Sequence, residues 1–219
     1  MFTYRKRRIL QGRIRGRLVV ALLFVLCAGV TAASHAETRA VEGLEFDSVV
    51  VWGSGKAEIS QDGDIGLRMR GKDRELNKEP FYLEDTTLHV GRIESGGDVG
   101  RVKYKISVGK IRAIRLSGSG EIYVRPLQTE DLIVVLEGSG DIKIHDAQTA
   151  DLELVVNGSG SLQVAKAQSD NVELIVRGSG SIDLGTVTAQ TVEATINGSG
   201  DVAVAEEGKA ERVAINVMG

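Results

Sequence analysis

The chain has 219 residues with a single cysteine, 27 basic and 30 acidic side chains, and a formal net charge of −3. Seven of the bases lie ahead of Leu18, so the remainder carries 20 basic against 30 acidic groups, a balance that disfavours nucleic acid and anionic membrane surfaces as partners. A lone Cys27 excludes an intrachain disulfide, leaving burial and hydrogen bonding to hold the fold.

The chain opens as an export signal. Arg5, Lys6, Arg7, Arg8, Arg13, Arg15 and Arg17 form a basic segment, the apolar run Leu18 to Val30 follows, and the segment closes on Ser34-His35-Ala36. Small residues in this arrangement predict cleavage after Ala36, which also removes Cys27. The run is too short for a spanning helix, which needs roughly 20 apolar residues. Leu26 before Cys27 argues against a lipid-modified cysteine, and Gln11 argues against a twin-arginine route. The expected organisation is a signal over 1–36 and one β-domain over 37–219, irregular over 41–111 and regular from 112 onward.

In the irregular part, Phe46 to Trp52 reads as a strand leading into Gly53-Ser54-Gly55, and Lys56 to Ser60 continues beyond it. Ile65, Leu67 and Met69 alternate as a strand, and Leu88 to Val90 and Val102 to Ile106 suggest two more. Residues 71–80 and 91–100 read as loops, and no helix is expected after the signal.

From Ile114 onward the sequence repeats. Gly-Ser-Gly recurs with its glycines at Gly118 and Gly120, Gly138 and Gly140, Gly158 and Gly160, Gly178 and Gly180, and Gly198 and Gly200, each 20 residues after the last. The flanking residues repeat in phase: Ile114, Val134, Leu154, Leu174, Ala194; Leu116, Leu136, Val156, Val176, Ile196; Ile122, Ile142, Leu162, Ile182, Val202; and Val124, Ile144, Val164, Leu184, Val204. Apolar and polar residues alternate, so each repeat holds two strands joined by a glycine corner, followed by a polar connection such as Asp146 to Ala150. An antiparallel meander closed by turns such as Asn157-Gly158 would also give two strands per repeat. Only a parallel β-solenoid places residue n over residue n + 20, which explains why one residue type fills each column. The corner glycines, Gly53 and Gly55 included, then serve a tight bend, and Ser119, Ser139, Ser159, Ser179 and Ser199 would form a ladder whose hydroxyls satisfy corner backbone groups. Val213, Ile215 and Val217 extend the pattern with one residue inserted, and the sequence stops at Gly219 partway round a coil, which is expected to mean an edge strand open to self-association, one covered by a partner, or a truncated chain.

The order of an opening Phe46-Asp47-Ser48-Val49-Val50-Val51 strand, a stretch from Val102 to Ile111 running into Ile114-Arg115-Leu116-Ser117-Gly118-Ser119-Gly120, and repeated Gly-Ser-Gly coils resembles the bacterial "putative autotransporter adhesin, head GIN domain" family over residues 44–219. The resemblance implies a right-handed β-helix in an exported envelope protein, and it supplies no catalytic residues to carry over. Gly109 stands where that family commonly has proline.

No catalytic, cofactor or metal site is expected. Gly-Ser-Gly lacks the Lys and the helix of a phosphate loop. The column Glu121, Asp141, Asp201 is interrupted by Ser161 and Ser181, which breaks any calcium ladder. His89 and His145 are far apart with no cysteine near, and both are expected at a surface or edge. Asn157 and Asn197 match the glycosylation tripeptide only formally. Stacking would set Asp131 beside Asp151, the carboxylate pair a polysaccharide-cleaving enzyme would need. Sugar subsites also want exposed aromatics, and those available are Phe46, Trp52, Phe81, Tyr82, Tyr104 and Tyr123, with Trp52 expected as a cap or core residue near the first corner. The reading is therefore an exported, non-catalytic scaffold or binding protein of the periplasm or cell surface, engaging an envelope protein or glycan. Its rival is a carbohydrate-active enzyme on the same fold.

Overall fold

Strict alternation of buried and exposed side chains sets the strands, and a recurring register sets their stacking. The computed structural model describes residues 22–24, 36–97, 99–204 and 208–218. Apart from Leu22–Phe24 (β1), the leader and its cleavage point at Ala36 adjoin or lie outside the described residues. The irregular part contributes Glu37–Glu42 (β2), Ser48–Gly53 (β3), Lys56–Ser60 (β4), Gly66–Gly71 (β5), the helical turn Asp73–Leu76 (α1), Phe81–Glu84 (β6), Thr87–Val90 (β7) and Lys103–Ser107 (β8). The regular part follows with Ala113–Gly118 (β9), Glu121–Val124 (β10), Leu127–Gln128 (β11), Asp131–Gly138 (β12), Asp141–Gln148 (β13), Asp151–Gly158 (β14) and Ser161–Gln168 (β15). Asn171–Gly178 (β16), Ser181–Gly198 (β17), Asp201–Val204 (β18) and Gly208–Met218 (β19) complete it.

These strands wind into a parallel β-solenoid with three faces. On the first face β7, β3, β9, β12, β14, β16, the second half of β17 and β19 lie side by side in parallel. On the second face the parallel run is β8, β4, β10, β13, β15, the first half of β17, and β18. The first corner belongs to the same stack. Gly53 pairs in register with Gly118 although 65 residues separate them, so the whole excursion from Gln61 to Arg112 is inserted between two consecutive levels.

The third face corrects the expectation of two strands per repeat. Leu127 pairs with Ala147, Ala147 with Ala167, and Ala167 with Val187, so the supposed polar connection is a short parallel sheet of its own. It escaped notice because it buries one side chain per level, an alanine at two of the levels. A further core column, Leu132, Leu152, Val172 and Val192, faces inward from the first sheet.

A second correction is α1, within the stretch read as a loop. A single turn has no i, i+4 repeat to betray it. The Glu75 carboxylate accepts the Lys72 amide at 3.1 Å to cap the turn, and Leu76 is fully buried. The irregular part closes this end of the stack with antiparallel pairings, β2 on β5 and β5 on β8 on the second face and β6 on β7 on the first.

The corners show why glycine is required twice. Gly138 has φ of +118°, and a Cβ there would lie 2.5 Å from the Gly118 carbonyl oxygen in the coil below. A Cβ on Gly140 would lie 2.5 Å from the Gly120 oxygen. The amides of Ser139 and Gly140 both donate to that Gly118 carbonyl at 3.1 Å, and Asp141 donates to Gly120 at 3.0 Å. The expected serine-hydroxyl ladder is therefore replaced. Backbone groups satisfy one another, and Ser119, Ser139, Ser159, Ser179 and Ser199 are exposed.

This geometry sets an expected outcome. Gly138→Ala combines an unfavourable φ with a backbone collision and lowers unfolding free energy by more than about 2 kcal/mol in urea denaturation, while Ser139→Ala stays within about 0.5 kcal/mol. Equal effects from the two substitutions would refute the stacking argument.

Candidate functional site

At the capped end of the first face, strand register gathers an aromatic cluster. Val49 and Val51 point into the core, so Val50 and Trp52 of β3 point outward. β7 runs parallel beneath, pairing Val50 with His89, and β6 runs antiparallel beside β7, pairing Tyr82 with His89. The Tyr82 and His89 rings stack with centroids 4.5 Å apart and planes 3° from parallel. Trp52 lies on the other side of His89, with ring centroids 6.4 Å apart, and its Nε1–H donates to His89 Nδ1 at 3.2 Å. The Arg92 guanidinium sits 4.9 Å from the centre of the Trp52 ring.

Both histidine and tryptophan depart from expectation. His89 is only 9% exposed, held between two rings rather than lying at an edge, and of the two places expected for Trp52 the structure gives the capped end, on the outside, and not the core. Chain separations of 37 residues concealed the cluster. Since Nδ1 accepts from Trp52, the neutral imidazole carries its proton on Nε2, which is 3.7 Å from a Glu84 carboxylate oxygen. Burial pushes His89 below the usual imidazole range, the nearby Arg92 charge adds to this, and Glu84 opposes both. The result is an amphipathic patch of ring edges and one guanidinium.

The other candidates are distributed by the stacking. Phe46 and Tyr104 are core residues, Phe81 packs against the core, and Tyr123 is 41% exposed on the second face. His145 is exposed. Asp131 does pair in register with Asp151, but the row continues as Asn171 and Thr191. Its members are tied to one another: Asn171 donates to Asp151 at 2.8 Å and Thr191 to Asn171 at 2.7 Å. Beside them Glu153, Glu173 and Glu193 stack level on level, and together these acids line a shallow groove of about 590 Å³. Glu121, Asp141, Ser161, Ser181 and Asp201 form one ladder, in which Glu121 is paired with Lys56. Among the described residues no group of three or more His, Cys, Asp or Glu is placed to hold a metal ion. No helix among them is long and apolar enough to cross a membrane.

Comparison with known proteins agrees with this architecture. Residues 45–219 match the family described as "Putative auto-transporter adhesin, head GIN domain". No curated protein matches the sequence. Among solved structures, a "putative lipid binding protein" from Parabacteroides distasonis superposes with a TM-score of 0.66 at 18% identity, covering 84% of this chain and 97% of its own. A "putative adhesin" from Parabacteroides merdae gives 0.63 at 16% identity with coverages of 84% and 97%. Another from Bacteroides fragilis gives 0.60 at 17% identity, with coverages of 85% and 100%. At these identities the likeness is one of fold.

The cluster makes pH a sensitive variable. Because the folded-state His89 titrates below its unfolded value of about 6.5, the unfolded chain binds the proton first, and the stability that neutral His89 contributes is whole above that pH and lost as pH falls. Fluorescence of Trp52, the single tryptophan, is expected to titrate with a midpoint below about 6.5 as Nδ1 protonation breaks the indole hydrogen bond. In His89→Phe that transition disappears. A midpoint above the free imidazole value would contradict the burial argument.

Proposed function

Because the chain belongs to the auto-transporter adhesin head GIN domain family, we propose that it is an exported, non-catalytic binding scaffold of the bacterial cell envelope. What supports this reading is that its outer side chains run in rows from level to level. Asp131, Asp151, Asn171 and Thr191 form a ladder across neighbouring strands, with one polar group per level, in which Asn171 donates to Asp151 and Thr191 to Asn171. An acid and a nucleophile need different environments that push their proton affinities apart. A row of equivalent surface positions instead presents a repeated, extended surface to a partner. The rival, a glycan-cleaving enzyme, would use Asp131 and Asp151 as its pair.

The deciding measurement is incubation of the purified chain with isolated envelope material. Saturable binding with the glycans recovered at unchanged length is expected. Shortened glycans, and loss of that shortening in Asp151→Asn, would establish the enzyme instead.

Export belongs to the same proposal. Cleavage after Ala36 would leave Glu37, the first residue of β2, as the new terminus. Mass spectrometry of the chain recovered from the periplasm or surface is expected to begin at Glu37, and an intact leader on exported protein would overturn it.

The far end of the stack supplies a partner surface. Val213, Ile215 and Val217 lie in register over Val192, Ala194 and Ile196, yet they are 58%, 67% and 63% exposed. In the levels below, the same columns are core. We assign this edge to end-to-end association with a second copy, two β19 strands continuing the sheet. Sedimentation is expected to show a concentration-dependent dimer, lost in Ile215→Lys/Val217→Lys. A wild-type monomer at all concentrations would refute the assignment.

A further inference from the structure

One region of the second face runs against the charge of the rest. The outward positions of β5, β8 and β4 hold Arg68 and Arg70, Lys103 and Lys105, and Lys56 and Glu58: five cations and one carboxylate. The chain after the leader otherwise has a clear excess of acid. Antiparallel pairing sets Arg70 directly opposite Lys103 and Arg68 directly opposite Lys105, while Lys103 also neighbours Lys56 on the other side. Like charges in directly opposed positions are unfavourable in a sheet. Arg68, Arg70 and Lys103 have no acidic partner among the described residues, whereas Lys105 shares Glu58 with Arg125, at 3.4 and 2.6 Å. Acids adjoin the patch at its margin, where Glu42, Asp62 and Asp64 line a hollow with Arg68 and Lys105.

The grid has a definite geometry. Arg70, Lys103 and Lys56 form one row across three strands, and Arg68 and Lys105 a second. Cations within a row are about 4.8 Å apart from strand to strand, and the rows are separated by two residues, about 6.7 Å. A shallow hollow of about 400 Å³ lies beside the arginines, over the lysine part of the grid, bounded by Lys56, Lys103, Lys105, the carboxylates Glu58 and Glu121, and the exposed ring of Tyr123, which pairs in register with Glu58. A flexible polymer with one negative charge per unit, crossing the strands, meets a cation at each of the three steps of the first row and at the first two of the second, which continues to Glu58 and Tyr123.

We propose that this grid binds a linear carboxylated polysaccharide, its carboxylates on Arg68, Arg70, Lys103 and Lys105 and a sugar face against Tyr123. The proposal rests on the reading of the chain as a binding scaffold and names the ligand class and the surface. An anionic membrane fits less well. The patch is about 10 Å wide and is bounded by Glu121 and Asp141 in the same row, acids that a planar surface would press upon. Single-stranded nucleic acid would want a succession of aromatic platforms for successive bases, and this face offers Tyr123 alone.

The test titrates the mature chain, beginning at Glu37 and so free of the seven leader bases, with polygalacturonate. Saturable binding is expected, weakened at least about tenfold between about 50 and 200 mM salt and again at least about tenfold in Arg68→Gln/Arg70→Gln/Lys103→Gln. These three side chains are exposed and face like charges, so the variant is expected to melt no lower than wild type. Glu153→Gln/Glu173→Gln on the first face leaves binding unimpaired. No binding by wild type, salt-insensitive binding, or tighter binding to phosphatidylglycerol vesicles or to single-stranded DNA would overturn the proposal. Failure to bind polygalacturonate with envelope binding retained sinks the grid alone. Shortening of the polymer during the titration contradicts the non-catalytic reading and leaves the grid standing.

Discussion

At two corners both amides of one coil converge on a glycine carbonyl of the coil below, Ser139 and Gly140 on Gly118 and Ser159 and Gly160 on Gly138, while Ser119 and Ser179 alone donate to Gly53 and Gly158. That arrangement is possible only where the upper residues bring no Cβ into the gap, and it fixes the distance and register of successive levels. Everything else follows from this register. Once Gly158 is seated on Gly138, Leu154 must cover Val134, Val156 must cover Leu136, and the next strand must start on Ser161 over Asp141. Burial supplies most of the driving force, but it tolerates a slip of two residues along a strand, which keeps the same side chains inward. The corner backbone does not.

The same stacking governs the outside of the molecule. A column that is acidic at one level is next to the same column at the next, so charge gathers into stripes instead of mixing. Glu153, Glu173 and Glu193 make one such stripe, and the cations of β5 and β8 make another of opposite sign. Half-buried Val135 and Ile175, with buried Val155 between them, run between the glutamates and the polar row of Glu137, Asn157 and Arg177. Extended, striped faces suit extended ligands better than compact ones.

Much of this was legible in the sequence because a 20-residue period writes each core column out five times. Four columns could be read directly from Ile114, Leu116, Ile122 and Val124 and their successors. The third face could not, since Ala147 and Ala167 are too small to stand out as core. The strands of the level formed by β3 and β4 could be read about their corner, but their register on β9 and β10 could not, because the period is broken there. The site-forming residues were the least legible. Tyr82, His89 and Trp52 meet through one antiparallel and one parallel pairing, neither of which has a local signature. Arg68-Met69-Arg70 and Lys103-Tyr104-Lys105 each announce a strand with a cationic outer side. Their apposition belongs to the sheet and is invisible along the chain.

The long excursion between Gly53 and Gly118 also bears on how the molecule assembles. Pairing β12 on β9 or β14 on β12 closes a loop of one repeat, whereas pairing β9 on β3 closes one of 65 residues. Loop-closure entropy makes the longer closure more costly by about 1 kcal/mol before the excursion's own strands are ordered. Contacts of short sequence separation form faster. Assembly is thus favoured to nucleate among the regular coils and to spread toward the amino-terminal end, with the aromatic cluster and the cationic grid completed last, on a template already built.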